Sequence, residues 1–491
     1  MKKKIALLLA IVLVLSAAMT GCGKKEVYKD DASVEYHIKW FAPGTKTQDH
    51  DMVFEEVSKY TKEKINATVY QTLLPNSEYK EGIQRLIFAG EPIDAMFAHS
   101  FPNLVSDGVY APLEDLLEEH GKDIKATVPD YAWKAMTVDG KIYAFPPVKD
   151  YAVEHVFQYF DGIVNKYNLD FSNVKSLADL EPILQTVKDN EPGVSPLGVR
   201  GSGYGLSVFL PIERIGATTI AGFQTDNYDK VVNVYETQEF KEFFDLMRRW
   251  NQKGFFTSDA ANSTKSITDV IKAHQVFLLT SESVPYFQEE KNLNEEEGWK
   301  TIFDGRLSQP VIATTSITAS CIGISADSEN PARTMKFFNM LYTDPYLLNT
   351  IVHGIEGTHY TVKDNTFVEY PDGITDAYKN NYYGNGAYQG NRWMLYRVPG
   401  EAADIWEKYD AFNKEAYVSP TLGFNFDNTT VMNELTAINN VQQEYIRSLM
   451  VGALDPATKL PEALEKFRKA GSEKLIAEVQ SQYDAWRASN K

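Results

Sequence analysis

Residues 376–393, "DAYKNNYYGNGAYQGNRW", hold five aromatic rings and five side-chain amides in 18 positions, with two alanines as the only aliphatic side chains. A stretch of that composition does not build a core. Flat rings pack against the C–H faces of a pyranose. Amides and a guanidinium offer paired hydrogen bonds to neighbouring hydroxyls. Tyr388, Asn391, Arg392 and Trp393 are therefore candidate ligand contacts, and a plain polar surface loop is the alternative. Arg392 and Arg397 leave room for an acidic sugar such as a uronate. Removing Trp393 is expected to weaken sugar binding about tenfold, with little change in stability.

Other chemistries find less support. The eight histidines (37, 50, 99, 120, 155, 274, 353 and 359) show no HExxH or CxxC spacing, and two cysteines cannot build a structural zinc site alone. No metal and no cofactor are expected. Glu356, between His353 and His359, has the wrong spacing for a zinc protease, and no nucleophile elbow occurs. The 67 acidic residues leave room for a glycosidase pair about 5–10 Å apart, so a surface-anchored glycoside hydrolase stands as an alternative.

The elements that must position these residues alternate strand and helix, an α/β pattern. "VEYHIKWFAPG" reads as a strand stopped at Pro43-Gly44. Helical spacing follows at Met52, Val53, Val57 and Tyr60, then a strand in "INATVYQTLL", a helix over 79–88 and a short strand in "PIDAMFAHS". "YAPLEDLLEEHGKDI" is an amphipathic helix stopped at Gly121. Asp139-Gly140 supplies the positive φ angles of a type I′ hairpin, which Pro146-Pro147 ends. Ser176 and Asp179 form a capping box, and Phe240, Phe243, Phe244, Met247 and Trp250 share one helical stripe that reads as core. "HQVFLLTSESVPYF" is a strand, and Asn330 caps a helix that begins at Pro331. At least three helical patterns fill the last 70 residues. No internal repeat and no low-complexity tract occurs.

Lys2, Lys3 and Lys4 precede a run over residues 5–18 broken only by Ser16, the anatomy of a secretory signal and too short for a spanning helix. Removing residues 1–21 takes away three lysines and no acid, so the formal charge of −18 becomes −21 on the 470 residues that remain. Such a surface disfavours nucleic acid, and attachment to a membrane has to come from lipid. Single cores stop growing near 250–300 residues, so two lobes are expected. Cys321, in "SITASCIGISA", reads as a small buried residue with no disulfide partner.

Met19-Thr20-Gly21-Cys22 resembles a bacterial lipobox, departing from it at Met19, where leucine is usual. Together with "FAGEPIDAMFAHS", "VDGKIYAFPPVK", "ISADSENPARTMKFFNMLY", "GIEGTHY", "SPTLGFNFD" and the "AGSEKLIAEVQSQYDAW" ending, it makes the chain similar to the bacterial extracellular solute-binding proteins of family 1. Within that family it resembles the large lipoprotein branch that serves ABC importers. The resemblance implies a lipid on Cys22, the alternative being a soluble secreted protein. It implies a periplasmic-binding-protein type II fold, α/β, with two hinge-connected lobes and a helical C-terminal region. The expected layout is a signal over 1–21, a linker over 22–34, lobe 1 over 35–148 plus 318–395, and lobe 2 over 149–317 plus 396–491. "IYAFPP" and "TASCIGIS" are the expected interlobe crossings, with ordinary core strands as the other reading. The partners implied are a carbohydrate ligand and an ABC permease, with the protein a monomer on the outer face of the cell membrane. A ligand-binding component of a surface sensor is a further alternative.

Ligands in open α/β sheets lie beyond the carboxyl ends of the strands. That rule selects Trp40 and Phe41, His99 and Ser100, and Ser283 and Tyr286. Packing is the rival account for Trp40, a core histidine for His99, and a turn cap for Asp94. Tyr204, in the glycine-rich "GSGYG", is a further candidate, and the absence of a full GxGxxG there counts against a nucleotide.

Overall fold

The computed structural model describes residues 30–98, 101–198, 205–216, 218, 220–263, 267–283, 298–302, 307–372 and 388–490. Among these, eight strands build two main sheets: β1 (Tyr36–Pro43), β2 (Ala67–Leu74), β3 (Ala95–Phe97), β4 (Glu154–Phe160), β5 (Ser195–Leu197), β6 (Val276–Ser283), β7 (Trp299–Ile302) and β8 (Ile322–Ile324). The first sheet has the order β8-β3-β1-β2 and the second β7-β4-β6-β5. β1 runs parallel to β2 and β3, and β8 antiparallel to β3. In the second sheet β5 and β6 are parallel, while β4 runs antiparallel to both β6 and β7.

Helices form where the sequence pattern predicts them and also over 405–415, where none was expected. They include α1 (His50–Ile65), α2 (Tyr79–Phe88), α3 (Gln238–Gln252), α4 (Pro331–Met340), α5 (Ile405–Glu415), α6 (Pro456–Lys469) and α7 (Ser472–Ser489). The α3 stripe is buried along its length, and Thr237 caps the helix by accepting from the Phe240 amide. Asn330 caps α4 with Pro331 in its first turn. Asp139 and Gly140 take the expected positive φ angles, 49° and 77°. The Ser176–Asp179 box is present too, but it opens a 3₁₀ turn, and the α-helix proper starts at Glu181.

The side chains gather into two large cores, each on its own sheet. One takes residues from Ile38 to Ala152, Ile312 to Val352 and Leu395 to Leu422. The other takes Phe157 to Leu278 and Phe424 to Tyr483. The chain therefore passes between lobes at about 150–156, 307–312 and 422–424. This differs from the expected layout in two places. "IYAFPP" and "TASCIGIS" do not cross: Phe145 and Ile322 pair with each other through two 3.0 Å hydrogen bonds, and both side chains lie inside the first core. Residues 405–422 belong to the first lobe, because Ile405, Trp406, Tyr409, Phe412 and Leu422 pack there.

The first two crossings are themselves paired, and a first-lobe segment just before the third joins them. Val153 and Val311 exchange two backbone hydrogen bonds of 3.0 and 2.9 Å, and Val311–Ile312 runs parallel to Tyr417–Val418. Three extended segments side by side, with no helix among them, can bend without losing their ladder.

The expected linker also ends early. Asp30 is held by Arg333 at 2.6 Å and by Lys336 at 2.6 Å, and the Arg333 side chain is 1% exposed. Arg333 donates as well to the carbonyls of Asp31 and Asn66, at 3.0 and 2.8 Å. Among the described residues the folded body thus already includes Asp30, packed on α4. Burial pushes the Asp30 carboxyl up, but its hydrogen bonds to Arg333 and Lys336 outweigh that and hold it well below the usual carboxylate range. A group with a depressed folded pKa contributes fully above its unfolded value and less as pH falls below it. Arg333→Met removes the buried partner of Asp30, leaves it with Lys336 and Asn330, and is expected to cost about 3 kcal/mol in urea unfolding. The stability gap between the native chain and Asp30→Asn is expected to shrink below pH ~4; a gap unchanged from pH 7 to pH 3 contradicts the ion pair.

Candidate functional site

Both sheets present the same edge to the crossings. β1, β2 and β3 end, and β8 begins, at one edge of the first sheet. The chain leaves that edge after Val148 and enters the second sheet at the start of β4, where β5, β6 and β7 end. The carboxyl ends of the parallel strands of both lobes therefore flank the hinge, which is where α/β sheets take ligands.

On the first lobe this edge carries half-buried aromatics. Phe41 lies two residues before the end of β1 and Phe97 ends β3, and the Tyr79 hydroxyl donates to both of their carbonyls at 3.4 and 3.0 Å. Tyr388 stands perpendicular to Phe97, 5.5 Å between ring centres. On the second lobe Phe209 stacks on Phe157 at 4.5 Å and lies 6.3 Å from His155 at the start of β4.

Residues 388–395 are sewn to the departing chain. Val148 donates to the Gly390 carbonyl at 2.9 Å, and Arg392 donates back to the Val148 carbonyl at 3.0 Å. Gly390 has φ +71°, and a Cβ there would sit 2.6 Å from the Leu341 carbonyl oxygen, so only glycine lets this turn approach so closely. Asn391 caps the turn that follows by accepting from the Trp393 amide at 3.1 Å. Arg392 is 4% exposed, ion-paired with Asp150, and its guanidinium lies over Trp406 and Tyr409 at 5.3 and 5.4 Å. Asn413, on α5, splints the crossing: it accepts from the Tyr151 and Ala152 amides and donates to the Lys149 carbonyl.

The candidates divide accordingly. Phe41 and Tyr388 stand at the strand-end edge of the first sheet, and Asn391 and Trp393 lie on the segment bonded to the departing chain. Trp40 does not: it is 1% exposed, with Phe338 5.3 Å from its ring, because β1 turns alternate side chains into the core. Arg392 is likewise a buried clamp, its charge engaged by Asp150. The segment read as unable to enter a core thus does so at Gln389 and Arg392. Trp393 stacks on Tyr409 at 6.3 Å and lies 5.8 Å from Trp406, so truncating it removes packing as well, and the expectation of unchanged stability does not hold. Asp94 accepts from Tyr36, Ser328 and the Lys39 amide and so stitches the first sheet's underside. Cys321 is buried, and burial pushes its thiol up to about 12. His99, Ser100, Tyr204, Tyr286 and Cys22 lie outside the described residues; the backbone of Ser283 ends β6 at the expected edge.

Sequence reasoning missed Tyr79, Phe97, Lys149, Asp150, His155 and Phe209. Tyr79 and Phe209 sit off the strand ends and carry no local signal. Lys149 and Asp150 had one, since they follow the Pro146-Pro147 stop that ends the hairpin. Among the described residues no cluster of histidine, cysteine and acidic side chains could hold a metal.

Residues 420–488 match a domain of unknown function, DUF3502. Over its full length the chain is 29% identical to 99% of a carbohydrate ABC transporter substrate-binding protein of Streptococcus pneumoniae serotype 4. It also superposes on the N-glycan transport solute-binding protein NgtS of S. pneumoniae, at 27% identity, over 93% of this chain and all of that one, with TM-score 0.79. Against NgtS holding Man1GlcNAc or Man5GlcNAc the TM-scores are 0.72 and 0.70. The alginate-binding protein AlgQ2, at 15% identity and TM-score 0.63 over 91% of this chain and 98% of that one, shares the fold. Two α/β lobes, a paired hinge and this full-length likeness coincide: the chain is similar over its whole length to the substrate-binding proteins of carbohydrate ABC transporters, and its residues 420–488 match DUF3502.

Proposed function

We propose that this protein captures an oligosaccharide between its two lobes and delivers it to the permease of an ABC importer, without making or breaking a bond. One observation carries the reading: the carboxyl ends of both sheets flank the paired crossings and display partly exposed aromatic rings there. Rings of that kind suit pyranose faces. The relatives support it, since one is named for carbohydrate transport and another holds glycans. A ligand that touches both lobes favours the closed arrangement by its differential affinity for it.

The lobe division that fits the two cores is 30–152 with 312–422, and 153–311 with 423–490. The protein works as a monomer at the outer face of the cell membrane. The lipobox supports a diacylglyceryl anchor on Cys22, and two acyl chains suffice for stable attachment. No described helix is long and apolar enough to cross a membrane. Labelled palmitate is expected to enter the native protein in cells and not Cys22→Ala; equal labelling of both removes the anchor.

Titration calorimetry of the purified protein against an oligosaccharide panel is expected to show one-to-one binding, with chromatography finding no new product. Turnover makes it a glycoside hydrolase instead. Trp393→Ala is expected to weaken that binding about tenfold, ~1.4 kcal/mol, and to lower the melting temperature. Trp393→Phe is expected to recover most of the stability. Undiminished affinity in Trp393→Ala removes the residue from the site.

A further inference from the structure

The strap just past the third crossing, "GFNFDNT" over 423–429, alternates apolar and polar side chains. Phe424 and Phe426 belong to the second core, where Phe424 meets the rings of Tyr483 and Trp486 at 5.2 and 5.9 Å. Asn425 and Asp427 turn instead to the first lobe, as alternate side chains of an extended chain do. The Asn425 amide donates to the Ala135 carbonyl at 2.9 Å. The Asp427 carboxylate accepts from the Ser106 hydroxyl at 2.6 Å and from the Asn103 amide at 3.3 Å, and Asn428 accepts from that same amide at 2.7 Å. Gly423, with φ +101°, lies so close to the first lobe that a Cβ would stand 3.0 Å from the Lys134 carbonyl oxygen.

Both ends of these bonds are fixed to their own lobe. Gln482, on α7, brackets the Asp427 backbone, accepting from its amide at 3.0 Å and donating to its carbonyl at 2.8 Å. The Thr429 hydroxyl and amide donate to the Asp427 carboxylate at 2.6 and 2.9 Å and so aim it. Across the gap, Phe101 and Leu104 sink the short helix Phe101–Ser106 into the first core. The bonds therefore tie one packed body to another. A hydrogen bond is gone once stretched by about 1 Å, so a rotation that carries Ser106 past Asp427 by that much releases the strap. The rings at the two carboxyl edges, meanwhile, pack within their own lobes, Tyr388 on Phe97 and Phe209 on Phe157.

We propose that this strap is the working part of the region matching DUF3502: a polar latch that holds the lobes at the separation seen here and that closure on a solute has to break. The inference rests on the closure reading above and adds a control to it. Bonds made in only one of two arrangements set the population of each, and through it the affinity for a solute that selects the other. Asn103, Ser106 and Asp427 are positioning residues, acting through the lobes and not on the solute.

The test joins Asn103→Ala and Ser106→Ala in one chain, which deletes both first-lobe donors and leaves Asp427 its bonds to Thr429 and Gln482. Spin labels at Met52→Cys and Lys469→Cys, exposed positions on opposite lobes, report the separation. In the double variant without sugar, the distance distribution is expected to move toward the sugar-bound maximum of the native chain. Calorimetry is expected to find the oligosaccharide bound about fivefold or more tightly. A lower melting temperature with both readouts unmoved overturns the latch. So does a shift away from the bound maximum with weaker binding, which places these bonds in the closed arrangement. Should the double variant fail to fold, Ser106→Ala alone is expected to move both readouts in the same sense, and no movement overturns the latch. A native chain whose label distance is the same with sugar bound overturns closure itself; a native chain that closes beside a variant that behaves identically overturns the latch alone.

Discussion

The pairing of the extended segments at the crossings governs the rest of the molecule. Val153, Val311 and Tyr417 lie on adjacent extended segments, so the lobes are joined by a narrow ribbon and not by a packed interface. A ribbon bends more readily than it slides, since sliding breaks backbone hydrogen bonds and shifts the register. The two cores on either side are separate and densely aromatic, which lets each lobe move as a body. Polar contacts flank the ribbon: Ser106 and Asn103 of the first lobe reach Asp427 and Asn428 of the second, at 2.6 and 2.7 Å. They lie just past the third crossing.

The direction of the strands turns this hinge into a binding device. A parallel sheet puts all its carboxyl ends on one edge, and a chain leaving from that edge and entering the next sheet at the corresponding edge makes the two sets of ends face each other. The antiparallel strands β4 and β8 serve the same geometry, since their starts lie at these edges and connect to the crossings. The site thus follows from topology, while its chemistry follows from the few side chains that reach the edge. Arg392 helps hold the lip of that edge in place, because its buried charge is satisfied by Asp150, whose backbone is already the departing chain.

Much of this was legible in the sequence where the signal is local. The first three strands, the hairpin at Asp139-Gly140, the α3 stripe and the Asn330 cap depend on residues within a few positions of one another, and they fall where pattern places them. What failed depends on partners far along the chain. Trp40 and Phe41 are neighbours with the same chemistry, and only the sheet's stacking against α4 decides that the first is core and the second faces the cleft. Arg392 read as a free guanidinium because Asp150 lies 242 positions away. The first crossing was placed a few residues early and the second about ten residues late, on segments whose composition suits a hinge equally well, and pairing between Phe145 and Ile322 settles both into the first core.

The central claim is closure of two rigid bodies on a shared solute. Met52 and Met432 are exposed residues on opposite lobes, and Cys321 is buried, so spin labels attached through Met52→Cys and Met432→Cys report the separation of the lobes. Pulsed electron resonance on that pair, with and without a saturating oligosaccharide bound, tests the claim most directly. The account predicts a distance distribution that moves as a whole to a new, narrower maximum in the bound protein. A distribution that stays the same with ligand demonstrably bound would contradict it.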